Sequence, residues 1–364
     1  MKSYFIANII PKGMLLKDFS QAANNFCWKL IDANCFDKAY ACLPINIPSK
    51  LSYMNIDNVC NIQCRIFPHR GFLRFVNAFI ESIYLVYKIG MRKKIWFYNI
   101  TSYNVMPYFI LKFLLRNKVY IILADFTPLR CKISLQATIW WAICKSDGII
   151  SLSSRTDFKH KNMSFLAGIV PECQIQTTIE RVHQSNKRIF LFSGVLGDVT
   201  GLPMAIEAFR EIPEAQLYIT GNGNSECLNV ISQKYPNIKY IGYLPYEKYL
   251  SVLKTADVCL NFRNPFLPEN RNNFPSKVLE FFSWNKAVLS TMDYPELKDF
   301  KYLKVPYQKR YIIQEIKRIL LLSEEELSIY QDNRIPLRQN FSVSVWRDTI
   351  KEIENNSNGK NKVG

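Results

Sequence analysis

The stretch Asn272-Asn273-Phe274-Pro275-Ser276-Lys277-Val278-Leu279-Glu280-Phe281-Phe282 decides how this chain is read. Phe274 and Pro275 close a loop, and residues 276–284 then carry helical spacing, with Val278, Leu279 and Phe282 on a buried stripe. Proline suits a first helical turn, where its missing N–H would be unpaired anyway. Ser276 and Glu280 are four apart and share a face, one turn above the other. A helix start offers free N–H groups and partial positive charge, which suit a phosphate. Glu280, a turn deeper, would repel that phosphate but could accept hydrogen bonds from a sugar diol. Phosphate at the tip and diol below it describe a nucleotide. The plainer alternative is an ordinary helix with a proline start and one solvated Glu.

The order of elements around this helix separates the two readings. Residues 188–193 (RIFLFS) form an apolar run ending at Gly194, and Leu202, Ile206 and Phe209 follow at helical spacing. Residues 216–220 (QLYIT) end in Gly221-Asn222-Gly223, and 238–241 lead into Gly242. Helical windows near 226–234 and 246–254 alternate with short apolar runs at 258–262 and 287–290. Such alternation implies a parallel sheet wrapped on both faces, which binds ligands at the carboxyl ends of its strands. Gly194, Gly221 and Gly242 all fall there. The second half therefore reads as a nucleotide-binding domain.

These residues resemble the carboxyl-terminal half of glycosyltransferase family 4, the group 1 nucleotide-sugar enzymes of the two-domain GT-B fold, in its bacterial surface-polysaccharide type. The matching text runs from Phe192-Ser193-Gly194 through Gly201 and Ala205-Ile206-Glu207-Ala208-Phe209. It continues with Leu217-Tyr218-Ile219-Thr220-Gly221-Asn222-Gly223, Ile241-Gly242-Tyr243-Leu244 and Ala256-Asp257-Val258. Phe274 to Glu280 is its most specific motif, and Ala287 to Thr291 closes it. The resemblance implies donor binding by Gly194, Gly201, Asn222, Tyr243, Ser276, Lys277 and Glu280, with Glu280 on the donor ribose. Two departures stand out. Asn272 occupies the position of a first catalytic Glu, with seven residues between it and the second, and is the catalytic candidate in its place. Val195 and Thr200 stand where relatives often carry the Arg and Lys that clamp the donor diphosphate, which leaves Lys277 and Arg263 as candidate cations.

At 364 residues the chain suits two domains with separate cores. A hydrophobic content of 48% excludes a disordered chain. Its ten cysteines include no Cys-x-x-Cys pair and are joined by only three histidines, so a metal cluster is not expected. They read as small buried side chains in a reducing compartment. No secretory signal is evident: the apolar run 3–10 is cut short by Pro11-Lys12-Gly13. The expected location is cytoplasmic.

Charge is uneven. Residues 1–180 hold 22 Lys+Arg against 10 Asp+Glu, a net of +12, of a total of +17. Clusters at Arg65, Arg70 and Arg74, at Lys88, Arg92, Lys93 and Lys94, and at Lys112, Arg116 and Lys118 interleave with aromatics. Basic residues beside aromatics suit an anionic membrane surface, so peripheral contact with the inner face of the plasma membrane is one expectation. The alternative is aromatics in the core and lysines for solubility. No helix-turn-helix, zinc-finger or RNA-binding signature accompanies the charge, so nucleic acid is not an expected partner.

The first half reads as a second doubly wound α/β domain. Strands are expected at 4–9, 39–45, 95–99, 119–123 and 149–152, with helices at 21–32, 72–88 and 106–116 and another through Trp140. Strand-end loops would place Lys12, Gly13, Asn99, Asp125, Thr127 and Ser153 on the acceptor side. Asp125 follows a buried strand directly, where relatives often place a His-Asp pair, and is the second catalytic candidate; a turn or helix-capping role is the alternative. The expected domains are 1–180 and 187–336, facing a cleft. A final helix at 341–354 returns to the first domain, as in GT-B enzymes, and 355–364 form a flexible tail.

Two function classes follow. The first is a hexosyltransferase moving a sugar from a nucleotide-sugar donor to a glycan or lipid-linked glycan, as in capsule or lipopolysaccharide biosynthesis. No Asp-x-Asp occurs in the chain, so no metal and no cofactor are expected, and relatives retain anomeric configuration. The second is a GT-B-fold binding or scaffolding protein without turnover, which the loss of the clamp at Val195 and Thr200 would allow.

Overall fold

In a computed structural model the chain divides into two units, Met1–Ile169 with Val343–Gly364, and Val170–Ser342. The described residues are 2–12, 14, 20–41, 59–61, 72–102, 104–124, 135–154, 158–178, 187–271 and 273–359. The division falls ahead of the polar stretch where the sequence placed it. Residues 170–178 belong to the second unit because the Val170 N–H bonds the Phe341 carbonyl and the Gln176 N–H bonds that of Ser283, both at 2.8 Å.

The first unit is built on β1 (Ser3–Ala7), β2 (Lys38–Ala41), β3 (Val59–Asn61), β4 (Lys94–Tyr98), β5 (Lys118–Leu123), β6 (Gly148–Ser151) and β7 (Met163–Phe165). They pair in the order β3-β2-β1-β4-β5-β6-β7, all parallel. Parallel strands need a crossover for each connection, which is why helices alternate with them. Helix α1 (Gln21–Asp32) starts where the Ser20 hydroxyl accepts the Ala23 N–H. Helices α2 (Leu73–Ile89), α3 (Val105–Phe109) and α4 (Leu135–Cys144) follow. Instead of the continuous helix expected at 106–116, α3 runs into a π-helical turn, Ile110–Leu114. The edge strands β3 and β7, three residues each, were not expected.

Each face of this sheet has its own core. On one, Ile6, Phe97 and Ile121 pack against Leu85 and Ile89 of α2, Tyr108 of α3 and Ile143 of α4. On the other, Phe5, Trp96 and Ile122 pack against Phe26 and Leu30 of α1 and against Trp346, Ile350 and Ile353 of the closing helix Val343–Gly359. The Trp346 Nε1–H donates to the Gly168 carbonyl at 2.7 Å. The Glu354 carboxylate accepts from Lys94 Nζ at 2.6 Å, Trp96 Nε1 at 3.0 Å and Ser3 Oγ at 3.2 Å. Two expectations are corrected here. The closing helix runs on to Gly359, because its last turns are anchored by Glu354 and Ser357, so residues 355–359 are not a frayed tail; residues 360–364 lie outside the described residues. Lys94, counted with the outer basic cluster, turns inward to Glu354.

The second unit holds β8 (Ile189–Val195), β9 (Gln216–Asn222), β10 (Ile238–Gly242), β11 (Val258–Asn261), β12 (Ala287–Ser290) and β13 (Leu303–Lys304). Their order, β10-β9-β8-β11-β12-β13, is again all parallel. The strand order reverses between β8 and β11, and that switch point is where ligands bind in open α/β sheets. Helices α5 (Leu202–Phe209), α6 (Ser225–Lys234), α7 (Tyr246–Thr255), α8 (Pro268–Arg271), α9 (Lys277–Ser283), α10 (Lys309–Leu321), α11 (Glu324–Ser328) and α12 (Arg334–Phe341) complete it. Phe190, Leu217, Ile219 and Leu260 pack against Phe209 of α5 and against Ile312, Ile316 and Ile319 of α10. Both units are thus α/β and doubly wound, as the alternating pattern implied.

Candidate functional site

The site forms where β8 ends. Ser193, Gly194 and Val195 end β8, paired with Thr220, Gly221 and Asn222 of β9. Gly194 and Gly221 have φ of +131° and +147°, and a Cβ on Gly221 would come within 1.8 Å of the Gly194 carbonyl oxygen. Only glycines let these two strand ends approach so closely. A Cβ on Gly194 would instead meet the Lys277 stem at ordinary contact distance, 3.7 Å. Lys277 therefore runs past Gly194.

Helix α9 positions the charged pair. Pro275 stands just outside it, and its carbonyl accepts the Val278 N–H at 2.9 Å. Ser276 is the cap residue; its exposed side chain makes no capping bond. Val278, Leu279, Phe281 and Phe282 are buried and fix the rotation of the helix. Lys277, a candidate cation of the sequence reading, stands at the helix start but does not simply face water. Instead its Nζ lies 4.2 Å from the Tyr249 ring centroid and donates to Ser193 Oγ at 3.3 Å. Burial pulls its ammonium below the usual lysine range, and Glu280, one turn on, opposes the shift.

Both oxygens of Glu280 are held by tyrosines. The Tyr249 hydroxyl donates to one at 2.8 Å and the Tyr246 hydroxyl to the other at 3.1 Å. Tyr249 is buried, and burial with the nearby Glu280 charge keeps its phenol protonated far above neutral pH. A carboxylate has about four acceptor sites, two per oxygen. The tyrosines occupy one on each oxygen, which leaves one on each for a pair of adjacent hydroxyls. These tyrosines and Ser193 escaped the sequence reading. Tyr246 and Tyr249 are three apart on one face of α7, a spacing that also describes ordinary core aromatics.

The clamp positions that depart from the family pattern have other uses. Val195 is 70% exposed and carries no charge into the site. The Thr200 hydroxyl donates toward the Val195 and Gly197 carbonyls and accepts the Gly197 N–H, so it staples this loop. Gly201 has φ +74°, and a Cβ there would lie 1.8 Å from the Phe262 carbonyl oxygen, so close packing alone requires glycine. Arg263 donates to Asn270 Oδ1 at 3.0 Å, and buried Asn270 ties the Val199 and Asn264 carbonyls. That network holds Arg263 beside β11. Asn222 uses its carbonyl to accept the Leu196 N–H at 2.9 Å, and Tyr243 is exposed.

The acceptor-side candidates fare differently. Lys12 pairs with Asp32 at 2.8 Å and lies over the Trp28 ring at 4.8 Å, so α1 engages its charge. Asn99, at φ +54°, joins two strand ends by accepting the Ala124 N–H at 2.8 Å. Ser153 is buried in a turn with Ser151. Gly13, Asp125, Thr127 and Asn272 lie outside the described residues. Among the described residues no group of His, Cys, Asp and Glu could hold a metal ion.

Residues 176–334 match the family model of glycosyl transferases group 1. No curated protein matches the chain. Among solved structures, the sucrose-phosphate synthase of Thermosynechococcus elongatus superposes with a TM-score of 0.73 at 12% identity, over 98% of this chain and 99% of that one. A glycosyltransferase from Rickettsia africae gives 0.70 at 12% identity, over 98% of each chain. The UDP-GlcNAc 2-epimerase of Neisseria meningitidis, bound to UDP-GlcNAc, gives 0.62 at 11% identity, over 98% of this chain and 100% of that one. At these identities the likeness establishes a shared fold, the two-domain GT-B architecture. The family match, confined to the second unit, supports a transferase of the glycosyltransferase class.

Proposed function

We propose that this chain transfers a sugar from a nucleotide-sugar donor to a glycan or lipid-linked glycan, without a metal and with retention of anomeric configuration, in assembly of a surface polysaccharide such as capsule or lipopolysaccharide. The observation that carries the donor half is the placement of Lys277 and Glu280, one helical turn apart, at the glycine-lined end of β8. Glu280, pre-oriented by two tyrosines, takes the donor ribose diol on its two remaining acceptor sites. Lys277 donates to the diphosphate next to Gly194, where the missing Cβ leaves the backbone approachable. As the glycosidic bond breaks, negative charge grows on the leaving diphosphate. A lysine fixed in place before reaction stabilises that charge without having to reorganise. In this reading Lys277 performs the role for which relatives often use the Arg and Lys replaced here by Val195 and Thr200.

The acceptor half rests on the resemblance and on the basic first unit, which fits a phosphate-bearing acceptor at the cytosolic face of a membrane. Among the described residues no helix is long and apolar enough to cross one. The test is a thermal-stabilisation screen of nucleotide sugars on the full chain, followed by transfer assays with any that bind. One nucleotide sugar should raise the unfolding temperature, because a ligand that binds only the folded state stabilises it. The Glu280→Gln protein should lose that response. If no nucleotide or nucleotide sugar shifts the transition, the donor assignment fails. If one binds tightly but no acceptor turns over, the scaffold reading replaces transfer.

A further inference from the structure

Among its described side chains, helix α2 buries the polar Asn77, Glu81 and Ser82, while Leu85 and Ile89, with Val86 packed beside them, join the apolar layer beneath. Its outer side shows Phe79, Ile83 and Tyr87, each four residues on from the last and so on one face. Phe72 before the helix is 77% exposed, and Tyr87 is 80% exposed. A water-facing helix normally presents the reverse pattern. In water, such a stripe forgoes the transfer free energy that covering it would release.

The surface continues past α2. The π-helical turn adds Phe113 and Leu114, and α4 adds Trp141, all exposed. Phe109, Phe113 and Trp141 have ring centroids 5.5 to 5.9 Å apart, which links the turn to α4. Because α2, α3 and α4 cover the same face of the sheet, these side chains share one outer surface. A broad apolar patch on a soluble unit marks an interaction site.

Charge identifies the occupant. Residues 72–147 hold eleven Lys+Arg against three Asp+Glu, a net of +8. Of the three acids, Glu81 is buried, Asp147 is engaged by Lys112 at 2.6 Å and Lys118 at 3.6 Å, and Asp125 lies outside the described residues. Lys88, Arg92, Arg116 and Lys145 are exposed along the border. Lys88 Nζ lies over the Tyr84 and Tyr87 rings at 5.3 and 5.9 Å, and Lys145 Nζ over Trp141 at 5.9 Å. Cations at helix carboxyl ends are favourable by themselves, but that does not account for the apolar stripe beside them. Aliphatic residues with Tyr and Trp between them and a basic border match the water–lipid boundary, where each finds its preferred layer.

We propose that the outer face of α2, the π-helical turn and α4 docks on an anionic lipid bilayer, with α2 lying in the membrane plane. This deepens the proposed function by naming the surface that would bring the enzyme to a lipid-linked acceptor. The docking is nevertheless measurable without any sugar transfer.

The experiment is co-sedimentation of the full chain with vesicles of phosphatidylglycerol and phosphatidylcholine, against phosphatidylcholine alone. The parent should pellet with the anionic vesicles and be released as salt rises, since the screening length falls from about 10 Å at 0.1 M to about 3 Å at 1 M. Trp141 fluorescence should shift to the blue on binding. Phe79→Ser/Ile83→Gln/Tyr87→Gln and, separately, Arg92→Glu/Arg116→Glu/Lys145→Glu should each weaken binding about tenfold or more. Both sets replace exposed side chains, and an unchanged unfolding temperature verifies that each variant is folded. Equal pelleting with neutral vesicles, or parent-like pelleting of either folded variant, overturns the proposal. So does a lipid-free parent that elutes as a dimer and becomes monomeric in the Phe79 variant, because the face would then belong to a second copy. Loss of donor response with docking intact would refute the proposed function alone.

Discussion

The two units share a plan and place charge in opposite ways. In the second, Lys277 and Glu280 turn toward the end of β8, where Ser193, Tyr246 and Tyr249 satisfy them. Its long outer helix α10 is ordinary: Ile312, Ile316 and Ile319 face the core, and Arg310 and Lys317 face water. In the first unit Lys94 pairs inward with Glu354, while α2 sends apolar residues outward beside the exposed cations Lys88 and Arg92. Strand-end polar groups there, such as Asn99 and Ser153, are used on the backbone. One unit concentrates its chemistry at a strand edge and the other on a helix face. The difference points to a division between gripping a small polar ligand and meeting a broad surface.

The sharpest way to break this contrast is at the inward charges of the first unit. Glu354→Ala leaves Lys94 and the Trp96 N–H buried without their acceptor, and should cost about 3–5 kcal/mol of stability. Chemical denaturation reads it directly; a loss below about 1 kcal/mol would show that the pair is not structural. At Glu280 the expected cost moves from stability to binding. The Glu280→Gln protein should bind the donor more weakly by about 1–3 kcal/mol, as when a charged hydrogen-bond acceptor is lost, and calorimetry with unchanged donor affinity would remove the assignment.

Lys277 sharpens the contrast further, because its charge should stabilise the ligand while its burial costs the fold. Lys277→Met should lower affinity for the nucleoside diphosphate about tenfold while leaving the bare nucleoside unchanged; equal losses for both would make the lysine structural. The sign of its pH dependence can be worked out. Burial lowers the folded-state pKa below its ordinary 10.5. The folded protein is therefore penalised while Lys277 is charged, and the penalty fades as pH rises through the lowered value toward 10.5. The parent should gain stability relative to Lys277→Met across that window, and diphosphate affinity should fall in the same window. Parallel stability curves for the two proteins would contradict the burial argument. The smallest effect belongs to α2. Ile83→Gln, at an exposed position, should change stability without lipid by less than about 0.5 kcal/mol, whereas Ile316→Ala in α10 should cost about 2–5 kcal/mol.

Much of this was legible along the chain. Helix α1 falls on the residues its spacing marked, and the strands of both sheets other than the edge strands β3, β7 and β13 fall within a few residues of the apolar runs, because buried parallel strands must be continuous and apolar. The edge strands β3, β7 and β13, of two or three residues, were not legible, since a run that short has no period to read. The end of α3 was missed for a related reason: a π-helical turn keeps the composition of a helix and changes only its bonding. In the site, Lys277 and Glu280 stood out because they share one local helix. Ser193, Tyr246 and Tyr249 did not, because they reach the same point from β8 and α7. Lys94 misled in the opposite direction. It lies in a run of cations, but its place on β4 turns it toward the closing helix.

The sequence by itself determined the alternation that makes two doubly wound sheets, the glycines where strand ends crowd, and the helix carrying Lys277 and Glu280. These are local properties, set by period, by Cβ sterics and by neighbours within one turn. Only the tertiary structure decided which charges meet which partners. It placed Lys277 under Tyr249 and against Ser193, tied Glu280 to two tyrosines, sent Lys94 to Glu354 and left the apolar side of α2 outward. Those outcomes depend on strand order and on the rotation of each helix about its axis. Both are fixed by the summed packing of residues far apart in the chain, and no window of sequence contains that sum.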